Sequence, residues 1–290
     1  MKKLLSLILA LTLAFSAFAF TSCEEEKDSE KKKDKTVATL QGKTPEELYN
    51  ETLDLLNSTS NYTSVSTQDI SMDASAEGIT VHMTMKQRIE TKATALMNQY
   101  TCVSSSTEMT YQGQTVPQDG DSYYIYLVDG MLYTNFNSAT ATSGQKIKYV
   151  VTEETFDKVL PAGTSTDSPM AMLPEEFFED TAFIPNDDDT FTVKVTMSAE
   201  EYNEYFGGFG QGTAIGNADI DIKKVVHKIN FDADGKLIDI VSNIDMSINM
   251  DGAAVDATAV STTVFSNIGT TEPVEAPADA DSHQLVQVKY

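Results

Sequence analysis

The side chains that most often carry out chemistry in proteins are scarce and scattered in this sequence. Its three histidines, His82, His227 and His283, lie far apart, and none has a neighbour at metal-ligand spacing. We expect His82 and His227 to lie on polar strand faces or near strand ends. No Gly-x-Ser-x-Gly turn is present, and no cysteine–histidine pair stands in a catalytic context, so a nucleophilic enzyme is not indicated. The sequence therefore predicts no catalytic residue, no metal ligand and no cofactor.

Two acidic runs and one glycine-rich segment also fail the tests for ion or nucleotide sites. Asp187-Asp188-Asp189 and Asp232-Ala233-Asp234-Gly235 lack the spacing of a calcium loop, so a turn is the better interpretation of each. The glycines between 207 and 216 follow a predicted helix and precede a strand. A dinucleotide fingerprint needs the reverse order, so we predict a loop at the rim of a cleft.

Methionine is the residue type that stands out, with 12 in the chain, and several fall on predicted apolar strand faces. This side chain is unbranched and polarisable, so it suits adaptable ligand surfaces, although core packing is its ordinary role. If the apolar face of the protein binds a ligand, we predict the following lining residues: Met83, Met85, Phe177, Met197, Phe231, Ile240, Met246 and Ile248.

The net charge narrows the range of partners. It is −24 for the whole chain. Nucleic-acid backbones require a basic surface, so no nucleic-acid partner is predicted. The same charge disfavours a protein that lies flat on anionic lipid.

The elements that position these residues are predicted to be mainly strands. Apolar and polar residues alternate from Ile79 to Lys86 and from Phe191 to Met197, which is typical of half-buried strands. Asp-Gly pairs at 129–130, 234–235 and 251–252 predict tight hairpins, because type I′ turns need positive φ at both central residues.

The registers of these hairpins agree with a single apolar face. Val225 to Ser266 is predicted to be a three-stranded meander around a long strand, Leu237 to Met250. A slip of one residue would turn every apolar side chain to the other face. Large residues on the long strand face alanines on the next strand. This arrangement indicates either simple interdigitated packing or space above the sheet for another group. The predicted pairs are Tyr126–Tyr133, Leu127–Leu132, Phe231–Ile238, Ile229–Ile240, Asn230–Asp239, Ile248–Val255, Met246–Ala257, Ile244–Ala259, Ser247–Asp256 and Asp245–Thr258.

Helices are predicted to be few. Thr44-Pro45-Glu46-Glu47 predicts a capped helix start, and the helix should end near 57–61. Shorter helices are predicted over Thr152–Leu160, from Leu173 and from Ser198, and an edge strand over Leu285–Tyr290. The fold class that follows is α+β: a large curved antiparallel sheet, or half-barrel, with short helices on its concave face.

The N-terminal residues predict export. Lys2 and Lys3 precede the uncharged stretch Leu4–Phe20, which predicts a signal peptide over residues 1–22. An uncleaved membrane helix is the alternative. Residues 23–43 are predicted to form a tether, since Glu24–Lys35 is almost entirely charged or polar. The folded domain is then predicted over 44–290.

Phe20-Thr21-Ser22-Cys23 resembles the lipobox of bacterial lipoproteins. The resemblance implies that the Cys23 thiol receives a diacylglyceryl group with chains such as palmitate. Two acyl chains suffice for stable anchoring, so the expected location is the extracytoplasmic face of the cell membrane. A disulfide between Cys23 and Cys102 is the alternative. Otherwise Cys102 is a lone thiol, ordinarily buried and inert.

The layout as a whole resembles the LolA-like and LppX/LprG-like lipoproteins, including a Gram-positive group of such proteins. The lipobox, the Thr-Pro-Glu-Glu helix, the long meander strands and the closing segment Phe265–Val286 carry this resemblance. It implies a half-barrel whose concave side holds acyl chains or lipoproteins in some members. We therefore expect a membrane-anchored protein that binds or carries an apolar ligand, such as a lipid, and is not an enzyme. The alternative is a surface lipoprotein with a structural or protein-interaction role and no ligand.

Overall fold

The computed structural model of the chain describes most of the region after residue 35. The described residues are 36–76, 79–95, 97–118, 122–137, 145–152, 155, 173–198, 200–201, 219–250 and 253–287. The predicted signal peptide, the predicted lipidation at Cys23 and residues 24–35 lie outside them. So do most of the predicted helix over 152–160 and the glycine-rich segment at 207–216.

One α-helix, α1, spans Pro45–Thr59 within the described ranges. The Thr44 N–H donates to Glu47 Oε2 at 2.7 Å, and the Glu47 N–H donates to Thr44 Oγ1 at 3.3 Å. Both bonds satisfy N–H groups that have no partner inside the helix. The helix ends at Ser60, which has φ 45° and donates its N–H to the Leu56 carbonyl. The predicted capping box and helix end are confirmed.

Most other regular structure is β. In chain order the strands are β1 Tyr62–Ala76, β2 Ile79–Ala95, β3 Asn98–Tyr111, β4 Gln114–Gln118, β5 Ser122–Val128, β6 Met131–Asn137, β7 Gln145–Val150, β8 Ile184–Pro185, β9 Phe191–Ser198, β10 Asp219–Phe231, β11 Leu237–Met250, β12 Ala253–Ser266 and β13 Gln284–Leu285. Short 3₁₀ helices span Glu175–Phe178 and Ala280–Ser282. The first of them confirms that a helix follows Leu173. Ser198 and Glu201 form the reciprocal bonds of a capping box, as the sequence predicts for the next helix.

The strands form a single 13-stranded sheet in the order β13-β7-β6-β5-β3-β2-β1-β12-β11-β10-β9-β8, with β4 beside β3. Neighbouring strands are antiparallel, except that β13 is parallel to β7. The strands at the two ends of this order, β13 and β8, are not paired with each other in the described structure. The sheet is therefore open and curved, and the predicted half-barrel fold class is confirmed. The predicted C-terminal edge strand is present as β13, although it is shorter than predicted.

The hairpin registers are confirmed at all but one of the predicted pairs. The exception is Phe231, which lies opposite Leu237 and not Ile238, because the register shifts by one residue after Asn230. At the β5–β6 turn, the φ values of Asp129 and Gly130 are both positive, at 52° and 72°, as a type I′ turn requires.

The β10–β11 turn explains the wrong pair. Here Gly235 has φ +81° whereas Asp234 does not have a positive φ. The Asp232 N–H donates to the Lys236 carbonyl, and the Gly235 N–H donates to the Asp232 carbonyl. This is a wider turn with a left-handed glycine and an adjoining bulge, so it shifts the register by one residue.

Alternation along the long strands gives the sheet an inner face, which carries the main core, and an outer face. The main core combines the inner face of β1, β2 and β9–β12 with α1 and the 3₁₀ helix at Glu175–Phe178. Leu48, Tyr49, Leu53 and Leu56 are the helix residues that it buries. The Tyr49 and Phe178 rings lie 5.3 Å apart, which joins the two helices. A second, smaller cluster contains Ile125, Leu127, Leu132 and Val151.

The folded unit begins earlier than the predicted boundary at residue 44. Val37 forms an antiparallel bridge with Phe183, and Leu40 forms one with Lys43. Leu40 is buried in the main core. The last residues of the predicted tether, 36–43, therefore pack against the domain.

The segment after β12 crosses the outer face of β3, β5, β6 and β7. Thr271, Val274 and Pro277 are buried at every third position, the repeat of an extended polyproline-type chain. The Asn98 side chain donates to the Val274 carbonyl and accepts from the Val274 N–H, both at 2.9 Å. The tail then ends its described course as the edge strand β13.

Candidate ligand-binding site

The eight predicted lining residues lie together in the main core of the inner face. Seven are buried, and the half-buried Ile240 packs against the same cluster. Their burial results from packing within the chain. By element, they are Met83 and Met85 on β2, Phe177 in the 3₁₀ helix, Met197 on β9, Phe231 on β10, and Ile240, Met246 and Ile248 on β11.

A cavity of about 720 Å³ lies beside this cluster. It is bounded by α1, by the β10–β11 turn and by the residues that follow β12. Small-molecule sites in proteins typically enclose about 300–1,000 Å³, so this cavity has the size of a ligand site. Its apolar lining residues are Leu48, Leu55, Leu237, Ile238, Phe265 and Ile268.

The floor of the cavity is continuous with the core. Leu48, Leu237 and Phe265 line the cavity and also belong to the main core cluster. None of the eight predicted residues lines the cavity itself. They belong to the core that this floor adjoins, seven on the inner face of the sheet and Phe177 on the 3₁₀ helix that packs against it.

The rim of the cavity is polar and carries both signs of charge. Lys43 Nζ, which precedes α1, forms an ion pair with the carboxylate of Glu51 on α1. Lys236, Asp232 and Asp234 come from the turn on the opposite side. An apolar floor under a mixed polar rim suits a ligand that is mostly apolar with a polar end.

One wall of the cavity depends on a glycine in close contact with α1. Gly235 has φ +81°, and a Cβ atom at this position would lie 3.2 Å from Leu48 Cδ1. Side chains other than glycine are strained at this φ and would also crowd the leucine. Nearby, Gln41 Nε2 donates to the Ala233 carbonyl at 2.9 Å, which fastens the N-terminal segment to the same turn.

Sequence reasoning missed this wall because it assigned Gln41 and Lys43 to the tether. The available signal was the pair Val37 and Leu40, two apolar residues after a charged run. Isolated apolar residues near a predicted disordered segment do not show which part of the domain they contact.

His227 lies on the inner face, so the predicted polar environment is wrong. It occupies the inward position between Val225 and Ile229 and is buried. Burial lowers the pKa of His227 to about 4, so its ring is neutral at neutral pH. The predicted registers already imply this position, because they place Ile229 on the apolar face and residue 227 alternates with it on the same strand.

The other residues that the sequence analysis considered as possible sites make ordinary structural contacts. His82 is on the outer face, where its Nδ1 lies 2.9 Å from Asp73 Oδ1. Asp188 lies in the β8–β9 turn and accepts from the Thr190 hydroxyl at 2.6 Å and from its N–H at 3.3 Å. These bonds lower the pKa of Asp188. The residues that the structure describes include no group of three or more histidine, cysteine, aspartate or glutamate side chains able to hold a metal ion.

Two observations bear on anchoring and on the thiol. No helix in the described ranges is long and apolar enough to cross a membrane. Cys102 is a half-buried thiol on the outer face of β3, opposite Tyr124 on β5. It is therefore less buried than the sequence predicts.

Comparison with known proteins assigns the chain to no family. No protein-family model matches the chain, and no curated protein sequence matches it. A beta-barrel-like protein of domain of unknown function DUF1849 from Brucella abortus is 13% identical, with 71% of this chain and 98% of that chain covered and a TM-score of 0.24. The translocator domain of the autotransporter NalP from Neisseria meningitidis is 7% identical, with 74% and 95% covered and a TM-score of 0.22. A DUF1329 family protein from Desulfovibrio piger is 9% identical, with 76% and 90% covered and a TM-score of 0.17. At these scores the functional conclusion depends on the geometry of this chain.

Proposed function

We propose that the protein is a membrane-anchored extracytoplasmic lipoprotein that binds or carries an apolar ligand, such as a lipid, on the inner face of its open sheet. The observation that supports this most directly is the cavity of about 720 Å³ whose floor is continuous with the core. A ligand that enters between α1 and the β10–β11 turn meets Leu237 and Phe265 first. Beyond them lies the rest of the inner face, with buried hydroxyl and amide groups followed by apolar side chains.

The composition of the inner face also supports ligand binding. Met72, Met83, Met85, Met197 and Met246 are all buried there. An unbranched thioether chain has several rotatable bonds and repacks around different shapes at little cost. A face built largely from leucine or phenylalanine would adapt less readily to an inserted chain.

The anchoring part of the proposal is supported by the sequence. The apolar leader, the lipobox-like Phe20–Cys23 and the charged run that follows fit a lipid-modified N-terminus. The layout shared with LolA-like lipoproteins fits the same assignment. An acyl anchor would hold the open sheet close to a source of apolar ligands.

A second candidate is a surface lipoprotein without a ligand. It is favoured by the burial of the predicted lining residues, which the chain itself packs. In that case the cavity beside α1 is a surface groove, and the methionines are simply core.

Native mass spectrometry of the full-length protein, purified from its membranes and then delipidated, separates the two candidates. A co-purifying mass before delipidation, together with binding of a fluorescent fatty acid afterwards, supports the ligand-binding protein. A protein that is empty at purification and binds no probe supports the second candidate.

Leu55→Glu tests the cavity without disturbing the core, because Leu55 is 45% exposed and lines the cavity. A carboxylate in the apolar wall must lose water when a ligand binds, so we expect probe affinity to fall about tenfold or more. The thermal midpoint should change little. Val116→Glu is the matched control, since Val116 is 52% exposed and lies outside the cavity. Equal affinity in the two variants would place the ligand elsewhere.

Cys23→Ala tests the anchor. The proposed lipid anchor is attached to the Cys23 thiol, which this variant lacks. The variant should therefore move from the membrane fraction to the soluble fraction, and metabolic labelling with a palmitate analogue should be lost. If the variant stays in the membrane and the leader remains uncleaved, the N-terminus is a membrane helix.

A further inference from the structure

A row of buried polar side chains crosses the inner face of the sheet. In direct cross-strand register it contains Gln87 on β2, Gln68 on β1, Ser261 on β12, Ser242 on β11 and His227 on β10. All five are buried. We call these residues the polar row.

The polar row lies next to an apolar row. Two residues along each strand, also in cross-strand register, the inward side chains are Met85, Ile70, Ala259, Ile244 and Val225. Two residues along the strands in the other direction, Ser66 on β1 and Thr263 on β12 are also buried and polar. An apolar ligand along the inner face would therefore contact polar atoms between the cavity floor and the apolar row.

Three hydroxyl groups in and beside the polar row lie close to one another. Thr263 Oγ1 donates to Ser66 Oγ at 3.1 Å, and the hydroxyls of Ser66 and Ser261 are 3.5 Å apart. The two amides of the polar row differ. Gln68 Nε2 and Gln87 Oε1 are buried and have no hydrogen-bond partner in the part of the chain that the structure describes.

These two atoms come from residues that face each other across β1 and β2. One of the atoms is a donor and the other is an acceptor. Buried polar atoms in proteins are nearly always paired, so an unpaired donor and acceptor at one place are best explained by a group that satisfies both. A group that accepts from Gln68 and donates to Gln87 has this property.

The surroundings restrict that group to an uncharged one. Within the described residues, the buried polar side chains include no carboxylate, lysine or arginine. The His227 ring is neutral at neutral pH because burial lowers its pKa to about 4. A charged ligand group in the polar row would lose its water without gaining a counter-charge.

The distance between the cavity floor and the polar row indicates which part of the ligand carries this group. Along β12 the inward residues run from Phe265, in the cavity floor, through Thr263 and Ser261 to Ala259 and Ala257. After Phe265 these side chains are small. Four residues of strand span about 13 Å, so a chain that lies along β12 would reach the polar row with its middle, not its polar end.

We propose that Gln68 and Gln87 form a recognition site for a neutral hydroxyl carried part-way along an apolar chain. This inference rests on the proposed function, because it names the ligand chemistry of the same inner face. Gln68 donates to the hydroxyl oxygen, and the hydroxyl donates to Gln87.

The test compares octadecanoic acid with an octadecanoic acid that carries a single mid-chain hydroxyl. The affinity of each acid is measured by its displacement of a fluorescent fatty acid. The assay is run on the full-length wild-type protein and on the full-length variants Gln68→Met, Gln87→Met and Gln114→Met. Met keeps the volume of Gln and removes its hydrogen bonds, and Gln114 is an exposed glutamine on β4 that serves as the matched control. We expect the wild type and Gln114→Met to prefer the hydroxylated acid by about tenfold, since two buried hydrogen bonds are gained. Gln68→Met and Gln87→Met should lose the preference and keep their affinity for octadecanoic acid.

Equal binding of the two acids by the wild type overturns the inference and leaves the proposed function standing. A preference that survives in both methionine variants also overturns it. Binding of neither acid overturns the proposed function and the inference together. The wild-type comparison requires no variant, so the inference remains testable even if a methionine variant fails to fold.

Discussion

The inner and outer faces of the sheet are stabilised by different kinds of contact. On the inner face, the main core is held by apolar packing, for example between Phe183 and Phe231, whose rings meet edge to face at 6.0 Å. On the outer face of β3, β5, β6 and β7, the C-terminal tail is held by directed contacts. His283 lies edge-on to the Tyr133 ring at 5.4 Å, and its Nε2 is 3.3 Å from the Tyr124 hydroxyl.

Additional polar contacts fasten the tail on the outer face. Lys146 forms an ion pair with Asp279, and Lys148 Nζ donates to the Ala280 carbonyl at 3.1 Å. Burial, followed by the nearby Asp279 carboxylate, raises the pKa of Tyr124. The phenol therefore stays protonated and available as a hydrogen-bond donor.

This difference indicates which face can accept a ligand. Apolar packing is non-directional, so flexible side chains can lose one set of contacts and form an equivalent set around an inserted chain. Hydrogen bonds of fixed geometry do not re-form in this way, and breaking them leaves buried polar atoms unpaired. The outer face is thus suited to holding the tail in one position, and the inner face to adaptable binding.

Phe231→Ala should have the largest effect, because it removes a fully buried ring from the inner face. We expect a loss of about 3–5 kcal/mol in the free energy of unfolding, from lost transfer energy and the cavity left behind. Urea denaturation measures it. Val264→Ala is the control, since Val264 is 43% exposed on the outer face and should cost far less. Similar losses in both variants would remove the distinction between the two faces.

A second prediction uses the pH dependence of the inner face. The pKa of His227 is about 4 in the folded protein and about 6.5 in the unfolded chain. Between these values the unfolded chain binds more protons, so stability should decrease as the pH falls from about 6.5 to about 4. The decrease is about 3 kcal/mol, because each pKa unit corresponds to about 1.4 kcal/mol.

His227→Gln should abolish this part of the pH dependence, as measured by urea unfolding at several pH values. His82→Gln should retain it, because His82 lies on the outer face beside Asp73. If the two variants lose stability equally on acidification, the buried histidine is not its source.

The third prediction concerns the tail on the outer face. Asn98→Ala removes both hydrogen bonds to Val274 and leaves the Val274 N–H and carbonyl without these partners. We expect a loss of about 1–3 kcal/mol, with faster amide hydrogen exchange over residues 271–287. Asn50→Ala on α1 is the control, since the Asn50 amide makes only a long, exposed contact with Glu46 at 3.5 Å. Unchanged exchange in Asn98→Ala would show that the tail is held by its other contacts.

Part of the fold could be predicted from the sequence because the controlling interactions are local. The Thr44–Glu47 capping box and the meander registers involve residues a few positions apart, or strands joined by a short turn. The predicted register was wrong where one extra residue in a turn changed the pairing of the strands. The shift after Asn230 moved Phe231 by one position.

The candidate site was less accessible to this reasoning. Seven of the predicted lining residues share one core because alternation placed them on the same face of the sheet, and Phe177 joins that core from a 3₁₀ helix. The cavity, in contrast, is made by Gln41, Leu48, Leu237 and Phe265, which come from four separate parts of the chain. The pairing of Gln68 with Gln87 could be read only after the register of β1 with β2 was known.

The sequence by itself determined the strand periodicity, the capped helix and the apolar face, and it is the basis of the proposed export and lipidation. Each of these depends on the chemistry of neighbouring residues and needs no knowledge of the rest of the chain. Only the tertiary structure decided that α1 lies over the β10–β11 turn, that residues 36–43 close one wall, and that the tail covers the outer face. These arrangements depend on contacts between segments up to about 200 residues apart, which no local pattern encodes.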